Sequence, residues 1–420
     1  MLSLEFIRAN PDAVRRAAEL KGEAAPVDEI LELDRLWRER QYAAEKARAQ
    51  QNDLSKRFAQ TRDQSDLANA KKVGEESKRE MAEADRIKRE LDDLLLQVPN
   101  IFHESVPIGE TEAENVVIRE WGTKPDLGFV PRTHFDLGEA LGIMDFDRAV
   151  RIAGSRFAFL VGEGARLERA LVQFMLDVHT REHGYTELWS PMLVNSAAMI
   201  GTANLPKFAD MLFKIEDRDL WLIPTAEVPV TNYHREEILD ADRLPLKYVS
   251  YAPSWRTEAG AAGKDTRGFI RMHQFSKVEL VKVTTAETSL DEFEMLTHDA
   301  EVILQRLGLH YQAMAMCTGD MGFAQYKKYD LNAWAPGLDR YLEVSSCSVF
   351  NDFQARRANI RYRPSRGAPP KFVHTINGSG LALPRTIDAI METYQRSDGM
   401  IVVPDVLKPY MGGVELIGAR

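Results

Sequence analysis

The sequence predicts an α+β protein: a long antiparallel helical hairpin at the N-terminal end, followed by a larger unit of strands and helices. Three observations lead there. Residues 27–98 are rich in Ala, Leu, Glu, Lys, Arg and Gln with almost no breakers, and their apolar positions recur at helical 3-4 spacing. After Pro99 that regime ends, and strand-like and helical patterns alternate irregularly without an internal repeat. Within that second region, two apolar strand-like runs flank a basic, glycine-containing loop at 256–273.

At 420 residues the chain is too long for one ordinary core, so two domains are expected. The net charge of −10 argues against a protein that coats nucleic acid with general basicity, while leaving room for a local basic surface. Cys317 and Cys347 have no paired metal spacing, which suggests a reducing compartment and no disulfide framework. The start, Met-Leu-Ser-Leu-Glu-Phe-Ile-Arg, lacks a sustained apolar stretch, and no run reaches the length of a membrane span. A cytoplasmic protein is expected, with no membrane partner.

Residues 1–26 read as a helical lead-in, with Pro11 in the first turn of a helix begun at Asn10-Pro11-Asp12. The hairpin seam follows as Ile30, Leu33, Trp37, Ala44, Ala47, Leu54 and Phe58, interrupted by Arg40 and Gln51. It returns as Ala84, Ile87, Leu91, Leu94 and Val98, after a polar stretch, Gln60 to Asn69, in which Asp63, Ser65 and Asp66 offer turn chemistry. Each arm would be about 45–55 Å long at the helical rise. The distal part, 46–79, carries nine cations (Lys46, Arg48, Lys56, Arg57, Arg62, Lys71, Lys72, Lys78, Arg79) against five acids. Such an arm suits contact with phosphates; a solvated coiled-coil face or a protein-docking hairpin is the plainer alternative.

Pro99 to about Pro131 is a proline-punctuated connector. An amphipathic helix is expected from Gly164 to His183, with Leu167, Leu171, Phe174, Met175 and Val178 inward and Gly184 as its C′ residue. A strand from Tyr185 to Leu193 should follow, and Pro191 makes it an edge or bulged strand. His179-Thr-Arg-Glu-His183 has the H-x-x-E-H form of a helical zinc site. Two histidines in a last helical turn are also what the helix dipole favours, and no third-ligand motif follows, so we do not read it as a metal site.

The basic loop holds Gly260, Gly263 and Gly268 with Lys264, Arg267 and Arg271, between strand-like runs Pro245–Trp255 and Phe275–Val283. Guanidinium groups grip phosphate oxygens bidentately, and glycines let a backbone fold over them. An ordinary solvated hairpin tip is the alternative. Arg256 and Glu258 on the entering strand and Glu279 on the leaving one favour the first reading, because charges alternating along apolar strands share one face and line a cavity. Gly263-Lys264 is not a P-loop: Glu258 stands where its first glycine belongs, Asp265 follows the lysine, and a strand comes next.

Further on, an apolar strand from Leu220 to Tyr233 runs into Pro224-Thr225-Ala226-Glu227, where Glu227 could hold an ammonium and Thr225 could equally cap a helix. Leu342-Glu343-Val344-Ser345-Ser346-Cys347-Ser348 sets an acid and hydroxyls on a strand, hard oxygens suited to Mg²⁺ against triphosphate. Asn377-Gly-Ser379-Gly-Leu-Ala-Leu-Pro-Arg385 opens a helix expected over Leu381 to Tyr394.

Arg256-Thr257-Glu258, then Ala259-Gly260 and Gly263-Lys-Asp-Thr-Arg-Gly268, then Arg271-x-His-Gln-Phe275-x-Lys-Val-Glu279 closely resembles motif 2 of the class II aminoacyl-tRNA synthetases in their seryl, bacterial form. The resemblance extends over essentially the whole chain. The long helix, strand and proline resemble motif 1, at a dimer interface; 377–385 resembles motif 3; Asp352 to Arg361 and Val403-Pro-Asp to Gly413 match as well. Val349 departs from the asparagine common after Ser348, and Pro384 replaces the glycine common before Arg385. Proline is tolerated in a first helical turn, so only a small local shift is expected.

What the resemblance implies is specific. Residues 1–114 would form a tRNA-binding domain with its hairpin at about 27–98, and 115–420 a class II catalytic domain built on an antiparallel sheet. The enzyme would be a homodimeric ligase that activates L-serine with ATP and charges tRNA(Ser), with tRNA(Sec) as a second acceptor. Arg256, Arg271 and Arg385 would act on the phosphates and the adenine face. Thr225, Ala226, Glu227, Glu279 and Ser379 would bind serine. Arg256, Thr257, Glu258, Phe275, Glu343, Val344, Ser345, Ser346 and Arg385 would bind ATP, with Glu343 and Ser346 on Mg²⁺. A site that hydrogen-bonds a hydroxyl rejects alanine by roughly 10⁴-fold or more. Two rival classes are a ligase that loads serine onto a carrier protein, expected to lack the basic hairpin, and an inactive scaffold, expected to have lost Arg256, Glu258 or Arg385.

Overall fold

The structure, a computed structural model, describes residues 1–259 and 268–418. Gly260, Gly263, Lys264 and Arg267 of the basic loop therefore lie outside the described residues. Two compact units are distinguished, Met1–Ile101 and Phe102–Arg420.

In the first unit, Ser3 caps α1 (Leu4–Ala9) by accepting Phe6 N at 3.0 Å, and Pro11 opens α2 (Pro11–Leu20) as expected. The hairpin is α3 (Val27–Thr61) against α4 (Gln64–Leu95). Its reversal needs only two residues. Arg62 takes a left-handed conformation (φ 58°), and Asp63 caps α4 by accepting Ser65 N at 2.8 Å. The polar stretch expected to form a longer turn is thus mostly helix, because one left-handed residue and one N-cap suffice to turn the chain.

Ile30, Ala44, Ala47 and Leu54 are buried on α3, and Ala84, Ile87 and Leu91 on α4. Both interruptions of the seam are accommodated. Gln51 crosses at Gly74, where a Cβ would collide with the glutamine amide, and Arg40 donates to Glu80 at 2.9 Å. Asp34, 1% exposed, anchors the lead-in: Arg8 donates to both its oxygens at 3.0 Å, and Arg38 to one at 3.2 Å.

In the second unit an eight-stranded sheet positions the site. Its strands are β1 (Val116–Trp121), β2 (Thr186–Glu187), β3 (Leu246–Trp255), β4 (Gln274–Thr284), β5 (Tyr311–Ala315), β6 (Lys327–Ala335), β7 (Arg340–Val349) and β8 (His374–Ala382). The spatial order is β1-β5-β6-β7-β8-β4-β3-β2, antiparallel throughout except for the parallel pair β2–β3. The strands flanking the basic loop pair in one unbroken register, from Leu246 opposite Val283 to Trp255 opposite Gln274. Three longer helices, α5 (Glu163–Arg181), α6 (Ser289–Arg306) and α7 (Leu383–Thr393), join the sheet in one core. Leu167, Leu171 and Met175 of α5, Phe293 and Leu296 of α6, and Ile387 and Ile390 of α7 pack with Val278, Leu280, Leu331, Val344 and Ile376 of the sheet.

Five expectations are corrected. The strand expected over Tyr185–Leu193 is split: Thr186–Glu187 forms the sheet edge, Leu193–Val194 pairs with Trp221–Leu222, and Pro191 lies between, where no ladder donor is needed. The strand expected over Leu220–Tyr233 is only Trp221–Leu222, followed by a short helix, Glu227–Thr231, begun after Pro224. The connector contains β1. Leu381 and Ala382 end β8, so α7 starts two residues later than expected, with Pro384 in its first turn. Residues 102–114, read from sequence as part of the N-terminal domain, bond into the second unit: His103 N donates to Tyr326 O at 2.9 Å, and Thr318 N to Pro107 O at 2.9 Å.

Among the described residues no helix is long and apolar enough to cross a membrane. Neither do three or more His, Cys, Asp or Glu side chains gather as a metal site. His179 and His183 face each other, Nδ1 to Nδ1 at 3.1 Å, and burial pulls His179 down to about 3, an imidazole that stays neutral. Cys317 and Cys347 are free thiols, both buried.

Candidate active site

On the second unit a cavity of about 430 Å³ opens over the sheet face away from α7's core contacts. Strand alternation supplies it. Lys277 and Glu279 of β4 face the cavity while Val278 and Leu280 face the helices.

Two bulges extend this alternation. On β7, Ser345 lies opposite Leu331 but Glu343 opposite Asn332, so Val344 is an extra residue. Glu343 and Ser346, three apart, would otherwise point to opposite faces; the bulge brings both into the cavity and leaves Val344 in the core. On β8, Ser379 lies opposite Glu279 and Leu381 opposite Val278, with Gly380 the extra residue. Ser379 and Ala382 thereby share the cavity face. A Cβ on Gly380 would come within 2.9 Å of His179 Nε2, so the second bulge requires glycine.

One end of the cavity is acidic. Thr225 Oγ1 accepts Glu227 N at 3.2 Å and donates to Glu279 Oε2 at 3.2 Å, so it turns the chain into the short helix and also binds a site carboxylate. Glu279 is 2% exposed and paired with Lys277. Burial pushes its carboxyl up, against the pull of Lys277. Burial, reinforced by Glu279, pushes Glu227 up to about 7; its Oε1 accepts Gln354 Nε2 at 2.7 Å.

The other side is cationic. Arg256 donates from Nε to Pro224 O at 3.2 Å, and its guanidinium stands 5.1 Å from the Phe275 ring centroid. Arg385, in the first turn of α7, donates to Ile270 O at 3.1 Å and Glu343 O at 2.8 Å. Arg271 donates to Glu258 Oε2 at 2.8 Å. Enclosure pushes the Glu343 carboxyl up, but the cavity still reaches it, and Arg385, Lys328, Arg256 and Lys277 outweigh the burial, so its pKa falls below the ordinary value. It remains an anion.

Eleven of the residues singled out from the sequence line this one cavity: Thr225, Glu227, Arg256, Glu258, Arg271, Phe275, Glu279, Glu343, Ser346, Ser379 and Arg385. Four do not. Ala226 is buried in a small core beneath its loop, and Val344 in the main core. Thr257 donates to Asp210 O at 2.7 Å, and Ser345 to Ser379 O at 2.6 Å, which ties β7 to the second bulge. Sequence reasoning missed Lys277, Lys328, Asn377 and Asp330. The first two alternate with apolar residues on β4 and β6, which was a usable signal. Asp330, between Tyr329 and Leu331 on the same strand, carried the same signal: it is buried, held by Lys328 at 3.1 Å, and pushed by burial up to about 7.

Comparison with known proteins bears on this geometry. Residues 1–102 match the model of the seryl-tRNA synthetase N-terminal domain, and residues 212–394 that of the tRNA synthetase class II core domain (G, H, P, S and T). The serine–tRNA ligase of Pelotomaculum thermopropionicum is 51% identical over 432 residues, covering all of both chains. The chain belongs to the seryl-tRNA synthetase family. It is thus one of the class II ligases, and the α+β architecture with a helical hairpin is the family's own. The serine–tRNA ligase of Caldanaerobacter subterraneus is 52% identical, covering 98% of each chain. The crystal structure of the Pyrococcus horikoshii seryl-tRNA synthetase complexed with ATP superposes with a TM-score of 0.94 at 38% identity, covering 99% of each chain. The cytoplasmic enzyme of Naegleria fowleri, in complex with AMP, gives 0.89 at 32%, covering 99% of this chain and 98% of that one.

Proposed function

We propose that the cavity activates L-serine with ATP and that the enzyme then esterifies tRNA(Ser), with tRNA(Sec) as a further acceptor. The observation that carries this reading is the division of one cavity into an acidic end, Glu227 and Glu279, and a cationic side, Arg256, Arg271 and Arg385. An amino acid's ammonium suits the first and a triphosphate the second.

In the first step a serine carboxylate oxygen attacks the α-phosphorus, forming the acyl–phosphate bond as pyrophosphate leaves. Arg256 stabilises the charge that develops there, and its contact with Phe275 and Pro224 O holds it in place. Arg271 takes the outer phosphates, and Arg385 and Phe275 flank the adenine, whose amino group Glu258 accepts. Thr225 and Glu227 face the serine ammonium, while Glu279 and Ser379 read the hydroxyl. In the second step the tRNA 3′-terminal ribose hydroxyl attacks the acyl carbon and AMP leaves. The protein supplies positioning and charge rather than covalent chemistry.

The donor set also fits Mg²⁺. Glu343 is an anion, Ser346 supplies a hydroxyl on the same face, and the buried Oδ1 of Asp330, opposite Ser346, has no hydrogen-bond partner among the described residues. When bound, the ion would neutralise triphosphate charge.

The basic hairpin, with its nine distal cations exposed, supports the first unit, Met1–Ile101, as the tRNA-binding part. A homodimer is supported by exposed apolar residues around the motif 1 region, Trp189 at 86% and Leu193 at 42% among them. Two free, buried thiols fit a reducing cytoplasm.

Serine-dependent pyrophosphate exchange into ATP followed by charging of bulk tRNA tests the reading. Exchange without charging would point to loading of a carrier protein, and no exchange with serine, threonine or alanine would sink the activity.

A further inference from the structure

Outside the cavity, and used by no step above, lies a buried cluster of three titratable side chains: His134, Asp388 and Glu392, all fully buried. Glu392, near the end of α7, accepts from His134 N at 2.9 Å, Gly337 N at 2.8 Å and Leu338 N at 3.1 Å. The His134 Nδ1 contact at 2.8 Å completes its lone pairs. Glu392 thus joins the His134–Ala140 helix, the β6–β7 turn and α7. With Nδ1 donating to Glu392, Nε2 of His134 is the acceptor, and it receives Phe269 N–H at 3.3 Å. Phe269 is at the root of the basic loop, next to Ile270, whose carbonyl holds Arg385. Gly268 must also come close: a Cβ there would press on His134 Nε2, and its φ is +81°. On the other side of Nε2, at 3.6 Å, stands Asp388, one turn along α7 from Arg385, with no hydrogen-bond partner for either oxygen among the described residues.

We propose that His134 is a positioning residue for ATP, holding the loop root at Phe269 and through Ile270 the arginine that flanks adenine, and that protonation of Nε2 toward Asp388 releases that root. The inference rests on the proposed reading of Arg385.

Every charged group facing the imidazole bears on the switch. Burial pulls His134 down, and Arg340 adds to this, but Asp388 and Glu392 outweigh both, so the net shift is upward from the ordinary value. Asp388 is pushed up to about 7, by burial first and by Glu392, against His134 and Arg385. While the imidazole is neutral, Nε2 is a free acceptor and Phe269 N–H is held. As pH falls, a proton on Nε2 faces another donor at Phe269 and an acceptor at Asp388, and the bond to the root is lost.

His134→Asn in the full-length enzyme tests this, because the asparagine amide replaces the Nδ1 donor to Glu392 while removing the Nε2 acceptor. In serine-dependent pyrophosphate exchange, the KM for ATP should rise about five- to tenfold, and the KM for serine by less than about twofold, as expected for one lost hydrogen bond. Unchanged KM for ATP, or equal loss for both substrates, overturns the inference. Should that variant fail to fold, Asp388→Asn decides. The wild-type KM for ATP should climb as pH falls through the range of the buried pair, and this climb should move to lower pH in the variant; superimposable profiles overturn the inference. Absence of any wild-type exchange would instead refute the activity on which the inference rests.

Discussion

Glu343 and Ser346 face the same cavity although they are three residues apart on one strand, because Val344 is inserted opposite β6. The spacing i, i+3 places groups on one face of a helix but on opposite faces of a regular strand, so the pair exists only by virtue of the bulge. Its carboxylate and hydroxyl are the proposed oxygen ligands of Mg²⁺.

That pairing predicts a metal dependence. Glu343→Gln keeps the shape and removes the anion, so half-maximal pyrophosphate exchange should require at least about tenfold more Mg²⁺. Ser346→Ala should shift the Mg²⁺ titration less. Titrating both variants against wild type checks this, and a curve for Glu343→Gln that coincides with wild type would exclude Glu343 as a ligand.

Serine recognition should separate from ATP recognition. Glu279→Gln removes a buried charge that Thr225 and Lys277 both bind, and the KM for serine should rise roughly 10–100-fold, the size of a hydrogen bond to a charged group. The KM for ATP should stay within about threefold. Steady-state exchange with each substrate varied in turn provides the readout.

Glu227 gives a pH dependence whose two signs differ. Its folded pKa, about 7, lies above the ordinary carboxyl value of 4.5, so the folded protein binds the proton more tightly than the unfolded chain. The contribution to stability is present below about 4.5, is lost as pH rises through 7, and is flat beyond. Serine's ammonium needs the carboxylate, so serine affinity should instead improve as pH rises through 7. Glu227→Gln should flatten both dependences, as followed by thermal melts and the KM for serine from pH 5 to 9.

The hairpin should matter to tRNA alone. Lys71, Lys72, Lys78 and Arg79 are exposed on α4. Reversing all four to Glu should raise the KM for tRNA by about 10²-fold or more and reduce its salt dependence. Pyrophosphate exchange should be unchanged. Equal tRNA charging by variant and wild type at low salt would remove the arm from recognition.

How much of this was legible in the sequence depends on the residue. The hairpin was, because a 3-4 apolar seam over dozens of residues has few other solutions. So were β3 and β4, and alternation along β4 put Glu279 on the cavity face; Arg256 and Glu258, expected on the entering strand, instead lie past the end of β3 at Trp255, Glu258 with a left-handed φ of 52°. The bulges were not read, although Gly380 inside a strand pattern was a signal; nothing marked Val344, an ordinary strand residue. Ala226 and Val344 were chosen for their neighbours in the motifs and turned out to be core. Asp330 was open to the same strand alternation as Lys328 and was not read, whereas His134 depends on partners far along the chain, contacts that local patterning does not encode.

The ion pair between Arg271 and Glu258 has a consequence for ligand choice. In the proposed reading these side chains serve opposite ends of ATP, the phosphates and the base, yet here they neutralise each other. Each must leave the other to take up its share of the nucleotide. A ligand with phosphate but no adenine would strand Glu258, and one with adenine but no phosphate would strand Arg271, whose Nε is already buried without a partner among the described residues. Pyrophosphate and adenosine should each bind far more weakly than their joined form implies, so the pair acts as a logical AND that admits only a molecule carrying both ends.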